Sequence, residues 1–176
     1  LYTTDTFEPS EENKKSRKGP YLQLESANAY KLADIYSDTG RFDEELFVLC
    51  DAYTRVKNLS TGKRIGMPIL YYKANTSNSG HDPTAGTQEY KDNIYNYLDN
   101  INLVRLGKPW MAGAKHALEN GILDPAQTGP EIFYESIRNK KLENTNKPYR
   151  ADSYILLSAG FDGEYGTPDD VFNFED

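Results

Sequence analysis

Histidine and cysteine are nearly missing from this chain, and each scarcity removes a class of function. There are two histidines and one cysteine in 176 residues. The lone Cys50 excludes an intrachain disulfide, and its place after the apolar run Leu46-Phe47-Val48-Leu49 reads as a buried small hydrophobe rather than a nucleophile. His81 lies in a polar stretch and His116 beside Lys115, neither with a local partner in a metal or triad pattern. The chain has no Gly-x-Ser-x-Gly elbow, phosphate-binding loop or dinucleotide fingerprint. Ser158-Ala159-Gly160 has no base near it in sequence. Asp169 and Asp170 are paired carboxylates of the kind glycosidases use, but their surroundings suit ion binding better. Catalysis is not expected.

Positive charge is also short. Twenty Lys and Arg stand against 27 Asp and Glu, leaving a formal charge of -7, and a nucleic-acid partner is excluded because a basic stripe supplies most of that affinity. The one basic run, Lys14-Lys15-Ser16-Arg17-Lys18, follows Glu11 and Glu12 and reads as a solvated segment. No apolar stretch approaches the roughly 18 residues that suggest a membrane span. No signal peptide is legible, and the chain opens at Leu1 rather than Met, so a trimmed or processed product is expected.

What is present suits one domain of 1-176, large enough to bury a core without disulfide staples. Hydrophobic residues make up only 38% and mean hydropathy is -0.75. Fourteen tyrosines compensate in part, each burying a ring while keeping a polar tip wet. A thin core is expected.

Residues 1–20 read as a loop, and Tyr21-Leu22-Gln23-Leu24-Glu25 alternates like a strand. Ala27 to Tyr36 suggests a short helix ended by the turn at Asp38-Thr39-Gly40. Leu46 to Tyr53 reads as a buried strand, Asn58 to Gly62 as a turn-rich link, and Met67 to Tyr72 as a second strand with Pro68 at its start or edge. Residues 75–90 look like a long exposed loop. Tyr90, Ile94, Tyr97, Ile101 and Val104 recur at helical spacing, predicting a helix over 90–106. Residues 108–130 look irregular, with Trp110 as an anchor. Pro130 to Leu142 suits a capped helix with Glu131 in its first turn. A strand over Ser153 to Ser158 closes the series.

That last strand delivers the densest motif, Ser158 to Asp170, which holds three Asp, one Glu, one Thr and three Gly. Hard cations such as calcium need six to eight oxygen ligands, carboxylates joined by carbonyls. The same composition also suits a solvated acidic turn, Asp-Gly being a common hairpin signal, and composition alone leaves both readings open. An EF-hand is excluded: counted from Asp162, its sixth position must be Gly and its twelfth Glu, where this chain has Thr167 and Asn173.

The run from Tyr154 to Val171, with Asp162-Gly163-Glu164-Tyr165-Gly166-Thr167-Pro168-Asp169-Asp170 at its heart, resembles the ending of major pseudopilins of type II secretion, in the type IV pilin superfamily. Val48 to Tyr53, Gly66 to Lys73 and Pro148 to Ser153 are similar to that family's sheet region. The match covers the C-terminal quarter well and the middle strands loosely, and residues 75–130 read as an insertion. Phe161 stands where the family has Pro, and Asp51-Ala52-Tyr53 lacks the family's Asp-Pro-Trp-Gly.

The resemblance implies an α+β, pilin-like head: an N-terminal helix remnant or short helices packed on a small antiparallel sheet, with a calcium-tied loop over 153–176. It implies a structural calcium site in which Asp162, Asp169 and Asp170 match the family's acidic positions. Thr167 would add its carbonyl or hydroxyl oxygen, and Ser158 and Tyr165 their backbone oxygens, while Glu164 would face water. The implied function is a non-catalytic fibre subunit of the bacterial cell envelope with a periplasmic or extracellular head. Its partners would be other pseudopilin subunits and secretion-system proteins, its parent being anchored by a hydrophobic helix not in this sequence. The competing expectation is a secreted or surface calcium-stabilised module that uses its Tyr- and Asn-rich middle for recognition.

Overall fold

The computed structural model describes residues 27–84, 89–120, 127–142 and 145–174. The expected loop over 1–20 and strand over Tyr21 to Glu25 lie outside these residues. The architecture is α+β, short helices with small antiparallel sheets.

Strands β1 (Ala29–Lys31) and β2 (Phe47–Leu49) pair antiparallel, with Tyr30 opposite Val48. Ala27 to Tyr36 is therefore not the expected helix. Its first half is strand, and only Leu32–Asp34 turns, as a short 3-10 segment. Tyr30 and Val48 both pack on the core, and this long-range pairing outweighs local helical spacing. The short hairpin of β3 (Val56–Lys57) and β4 (Arg64–Ile65) is turned by Asn58, whose buried side chain accepts from the Ser60 and Thr61 N–H groups.

The main sheet is β5 (Leu70–Lys73), β6 (Tyr154–Ser158) and β7 (Val171–Phe172), all antiparallel, with Leu70 opposite Leu157 and Ser158 opposite Val171. One bridge, Cys50 to Pro68, ties β2 to the lead-in of β5. Around it, Ile69 N–H donates to Leu49 O at 2.8 Å and Asp51 N–H to Met67 O at 2.9 Å. The two sheets thus meet edge to edge in the order β1-β2-β5-β6-β7. The bridge's flanking hydrogen bonds come from Asp51 and Ile69, so the missing N–H of Pro68 costs the pair nothing.

One side of this surface is core: Leu70, Tyr72, Ile155 and Leu157 are buried. The segment read as an insertion supplies much of the covering layer. Tyr90, Ile94, Tyr97, Ile101 and Val104 are all buried, as their spacing predicts, but no continuous helix carries them. Glu89–Asp92 and Tyr97–Asn100 are 3-10 turns, and only α1 (Ile101–Val104) is α-helical. Asparagine explains the break. Asn96 accepts from Leu98 N–H, and Asn93 exchanges hydrogen bonds with the Asp82 backbone, so side chains compete for groups a helix needs.

After α2 (Ala117–Asn120) comes α3 (Gly129–Ser136), which opens on a complete capping box. The Thr128 hydroxyl accepts from Glu131 N–H while Glu131 accepts from Thr128 N–H. The helix expected over Pro130 to Leu142 stops early, because Arg138 bridges to Pro148 and Asn139 N–H turns to Lys147 O. Phe133 and Tyr134 of α3 are buried, and Phe133 meets Tyr72 with ring centroids 4.6 Å apart. His81, expected on an exposed loop, is buried edge-on to Tyr134 and bonded to its carbonyl at 2.8 Å.

Candidate metal centre

Strand β6 ends at Ser158, and the chain then doubles back through residues 159–170 to start β7. Two glycines make this path possible. Gly160 has φ +62, and a Cβ there would sit 2.2 Å from Asp169 O. Gly166 has φ +91 and lies against the backbone of α2, where a Cβ would meet Leu118 N at 2.5 Å. An L side chain at either place would be both strained and obstructed.

The loop holds itself together with oxygen acceptors. Asp162 N–H donates to Asp169 Oδ2 at 3.0 Å, Glu164 N–H to Asp162 Oδ1 at 2.7 Å, and Gly166 N–H to Asp170 Oδ2 at 2.8 Å. The Thr167 hydroxyl lies 2.5 Å from Asp169 Oδ1 and 3.1 Å from Glu164 O. Asp170 Oδ1 is buried and accepts no hydrogen bond. A buried carboxylate oxygen left this way carries the full cost of its lost hydration.

Charge follows the geometry. Burial pushes Asp170 up to about 8, the nearby Asp162 and Asp169 charges add to the rise, and the Gly166 N–H offsets only part of it. Asp162 is also raised, by burial first and then by Asp169. Asp169 goes down: burial opposes its charge, but the Thr167 hydroxyl and the Asp162 N–H outweigh it. The three predicted carboxylates therefore do come together closely enough to perturb one another.

The other predicted ligands fare unevenly. The Ser158 hydroxyl donates to Asp51 Oδ2 at 2.7 Å, so its side chain is committed elsewhere. Tyr165 is fully buried, its hydroxyl on Pro68 O, its N–H on His116 Nδ1 at 3.2 Å and its carbonyl accepting from Leu118 N–H at 2.9 Å. That carbonyl keeps one lone pair for a cation. The Thr167 carbonyl accepts from Asp170 N–H at 3.2 Å. Glu164, expected to face water, is instead paired with Lys108 Nζ at 2.5 Å in a partly buried contact.

Phe161 is 80% exposed, so its ring has no packing role. Trp110 serves as the expected anchor. It packs at Gly163, with the Arg55 guanidinium over its ring at 4.8 Å.

Two supports of the loop have little local signal in the sequence. Asp51 is buried, with Oδ1 accepting from Tyr53 N–H and Met67 N–H while Oδ2 takes Ser158. It ties β2, the β4–β5 link and β6 to one side chain. A carboxylate directly after the run Leu46 to Cys50 is the only hint. His116 is fully buried, with Nε2 on Gly107 O at 3.0 Å and Nδ1 accepting from Tyr165 N–H. Both bonds suit the neutral ring, and burial lowers its pKa to about 4. Nothing near His116 in sequence announces this role.

The donor set fits a hard cation: three carboxylates, one with an unused oxygen, and loop carbonyls with spare lone pairs. Among the described residues no three His, Cys, Asp or Glu side chains already converge in a ligating cluster. Carbonyl oxygens would have to complete any shell. No family model, curated protein or solved structure matches the chain.

Proposed function

We propose that this protein is the head of a pilin-like or pseudopilin-like fibre subunit, and that its C-terminal acidic loop takes a structural calcium ion. The observation that carries the reading is the loop itself. In a motif resembling the pseudopilin ending, Asp162 and Asp169 lie near enough to raise Asp170, whose Oδ1 is buried and unpartnered. A dication there would relieve the mutual repulsion of the carboxylates and occupy the orphaned oxygen. Asp162, Asp169 and Asp170 would hold it, aided by carbonyl oxygens of Ser158, Tyr165 and Thr167.

The role is assembly, not catalysis. The ion would fasten the end of β6 to the start of β7 and, through Tyr165, to α2. On this reading the head stands in the cell envelope on the periplasmic or extracellular side and stacks with other pseudopilin subunits and secretion-system proteins.

One observation favours a second reading, a secreted or surface binding module stabilised by calcium. An open cleft of about 780 Å³ lies along α3, with His81, Glu131, Arg138, Asn139 and Asn146 in its wall. Against it, the tyrosines that would form a recognition surface, Tyr90, Tyr95 and Tyr97, are buried.

The test is a thermal melt of chelator-stripped protein with calcium or magnesium added back. At 100 times its dissociation constant calcium stabilises the fold by about 2.7 kcal/mol, or roughly 5–10 °C for a chain of this size. Asp170→Ala should abolish the rise. No shift with either ion would reduce the loop to a solvated turn.

A further inference from the structure

The cleft along α3 is walled by three separate stretches of chain that are fastened to one another. The first is α3, where Glu131 and Glu135 stand one turn apart on the cleft side while Phe133 and Ile137 turn into the core. Arg138 follows at the helix end, and its guanidinium donates to Glu135 Oε1 at 2.6 Å. The second stretch is the turn from Asn139 to Asn146, and the third holds His81 and Pro83. Asn146 Nδ2 donates to His81 O at 2.6 Å, His81 Nε2 to Tyr134 O at 2.8 Å, and Asn139 N–H to Lys147 O at 2.8 Å. The walls are thus held in place before any ligand arrives, which lowers the cost of binding one.

At about 780 Å³ the cleft has the size of a small-molecule site, but where such sites are mostly apolar this one is mostly polar. That makes it a poor match for a lipid or a flat aromatic ligand. Its formal charges cancel, Glu131 and Glu135 against Arg138 and Lys140, so no net field draws a phosphate or a polyanion. What the lining does offer is donors set beside acceptors. The Glu135–Arg138 pair places a carboxylate next to a guanidinium, and neighbouring sugar hydroxyls, each a donor and an acceptor, can answer both. Asn146 spends an amide hydrogen on His81 O and brings a carbonyl oxygen that accepts. His81 adds an independent sign. Because the Tyr134 carbonyl only accepts, the ring hydrogen sits on Nε2, and the buried Nδ1 is an acceptor with no partner. We propose that this cleft binds a short neutral saccharide, held by Glu135, Arg138 and Asn146, with one hydroxyl donating to His81. No residue of the acidic loop lines the cleft, so the inference rests on neither the calcium nor the fibre reading. It gives the binding-module reading a ligand class without requiring it.

Saturation-transfer NMR on the whole chain tests it. The probes are neutral trisaccharides of glucose, galactose, mannose and N-acetylglucosamine, with a sulfated disaccharide as the charged comparison. At least one neutral probe is expected to bind with a Kd below about 1 mM. Glu135→Ala and Arg138→Ala remove side chains that are about half exposed, and each should weaken that binding at least tenfold. Lys57→Ala on β3 should leave it unchanged. Circular dichroism checks that each variant folds. Absence of transfer to every neutral probe would overturn the proposal. So would binding of the sulfated disaccharide alone, which would assign the cleft to an anion, and so would neutral-probe binding that survives both substitutions, which would place the sugar elsewhere. Each arm is run with calcium and with chelator, so that a failed calcium response leaves this outcome readable.

Discussion

The aromatic layer over β5 and β6 and the acidic loop that follows β6 make opposite uses of burial. In the layer, Tyr72, Tyr97, Phe133 and Tyr134 pack ring against ring with centroids 4.6–6.0 Å apart. Their burial removes apolar surface from water, which is favourable without any partner of defined charge. In the loop, burial works against the groups it encloses. Asp170 and His116 are both pushed toward their neutral forms, and the loop persists because backbone N–H groups and carbonyls answer most of its polar atoms. The layer should therefore be indifferent to pH and cations, whereas the loop should respond to both.

The largest blow to the layer is Phe133→Ala, expected to cost about 3–5 kcal/mol as a core truncation. Urea denaturation should find the same loss with calcium and with chelator. A loss that depended on calcium would break the contrast between the two regions.

Protonation tests the loop. The folded state holds His116 neutral, with a pKa near 4 against an ordinary 6.5, so its contribution is complete above pH 6.5 and drains as pH falls toward 4. That limb amounts to about 3 kcal/mol. Asp170 runs the other way. Its folded pKa of about 8 lies above the ordinary 3.8, so in cation-free protein its contribution is present at low pH and lost as pH rises through 8. The two limbs oppose each other between pH 4 and 6.5, where cation-free protein should show a shallow stability profile, and from pH 6.5 to 8 the Asp170 limb alone remains and stability should fall. Asp170→Asn should expose the His116 limb as a steeper loss below pH 6.5 in urea midpoints. A variant profile parallel to the wild type would show that the two groups do not offset one another.

Gly160→Ala should destabilise by about 1–3 kcal/mol, from its left-handed backbone and the Asp169 carbonyl in its way. It should also weaken calcium binding if the loop closes as proposed, which isothermal titration would read directly. Thr128→Ala sharpens the other side of the comparison. Losing the cap of α3 should cost about 1 kcal/mol, with no change in calcium response by thermal melt.

Several features of this fold are legible without coordinates because their causes are local. The capped start of α3 follows from Thr128, Pro130 and Glu131. Strand β6 follows from an apolar run that stops at glycine and carboxylates. The stripe Tyr90, Ile94, Tyr97, Ile101 and Val104 names buried residues correctly, since spacing reports which side chains face inward. It misjudges their backbone, because Asn93 and Asn96 spend side-chain hydrogen bonds on neighbouring backbone groups. The expected helix at Ala27 to Tyr36 fails for a different reason: Tyr30 finds Val48, a partner far along the chain.

What the sequence by itself determined is composition-bound: an acidic chain with one cysteine, a tyrosine-rich core and one dense cluster of oxygen ligands. Only tertiary structure decided that Asp51 clasps Ser158, that His116 props Tyr165, that Lys108 claims Glu164 and that the Tyr71 and Tyr154 rings meet on the sheet. Each of those is a meeting of residues distant in sequence. Capping and alternation act over a few bonds and are written locally, whereas the fate of a buried charge depends on which distant atoms the folded chain brings to it.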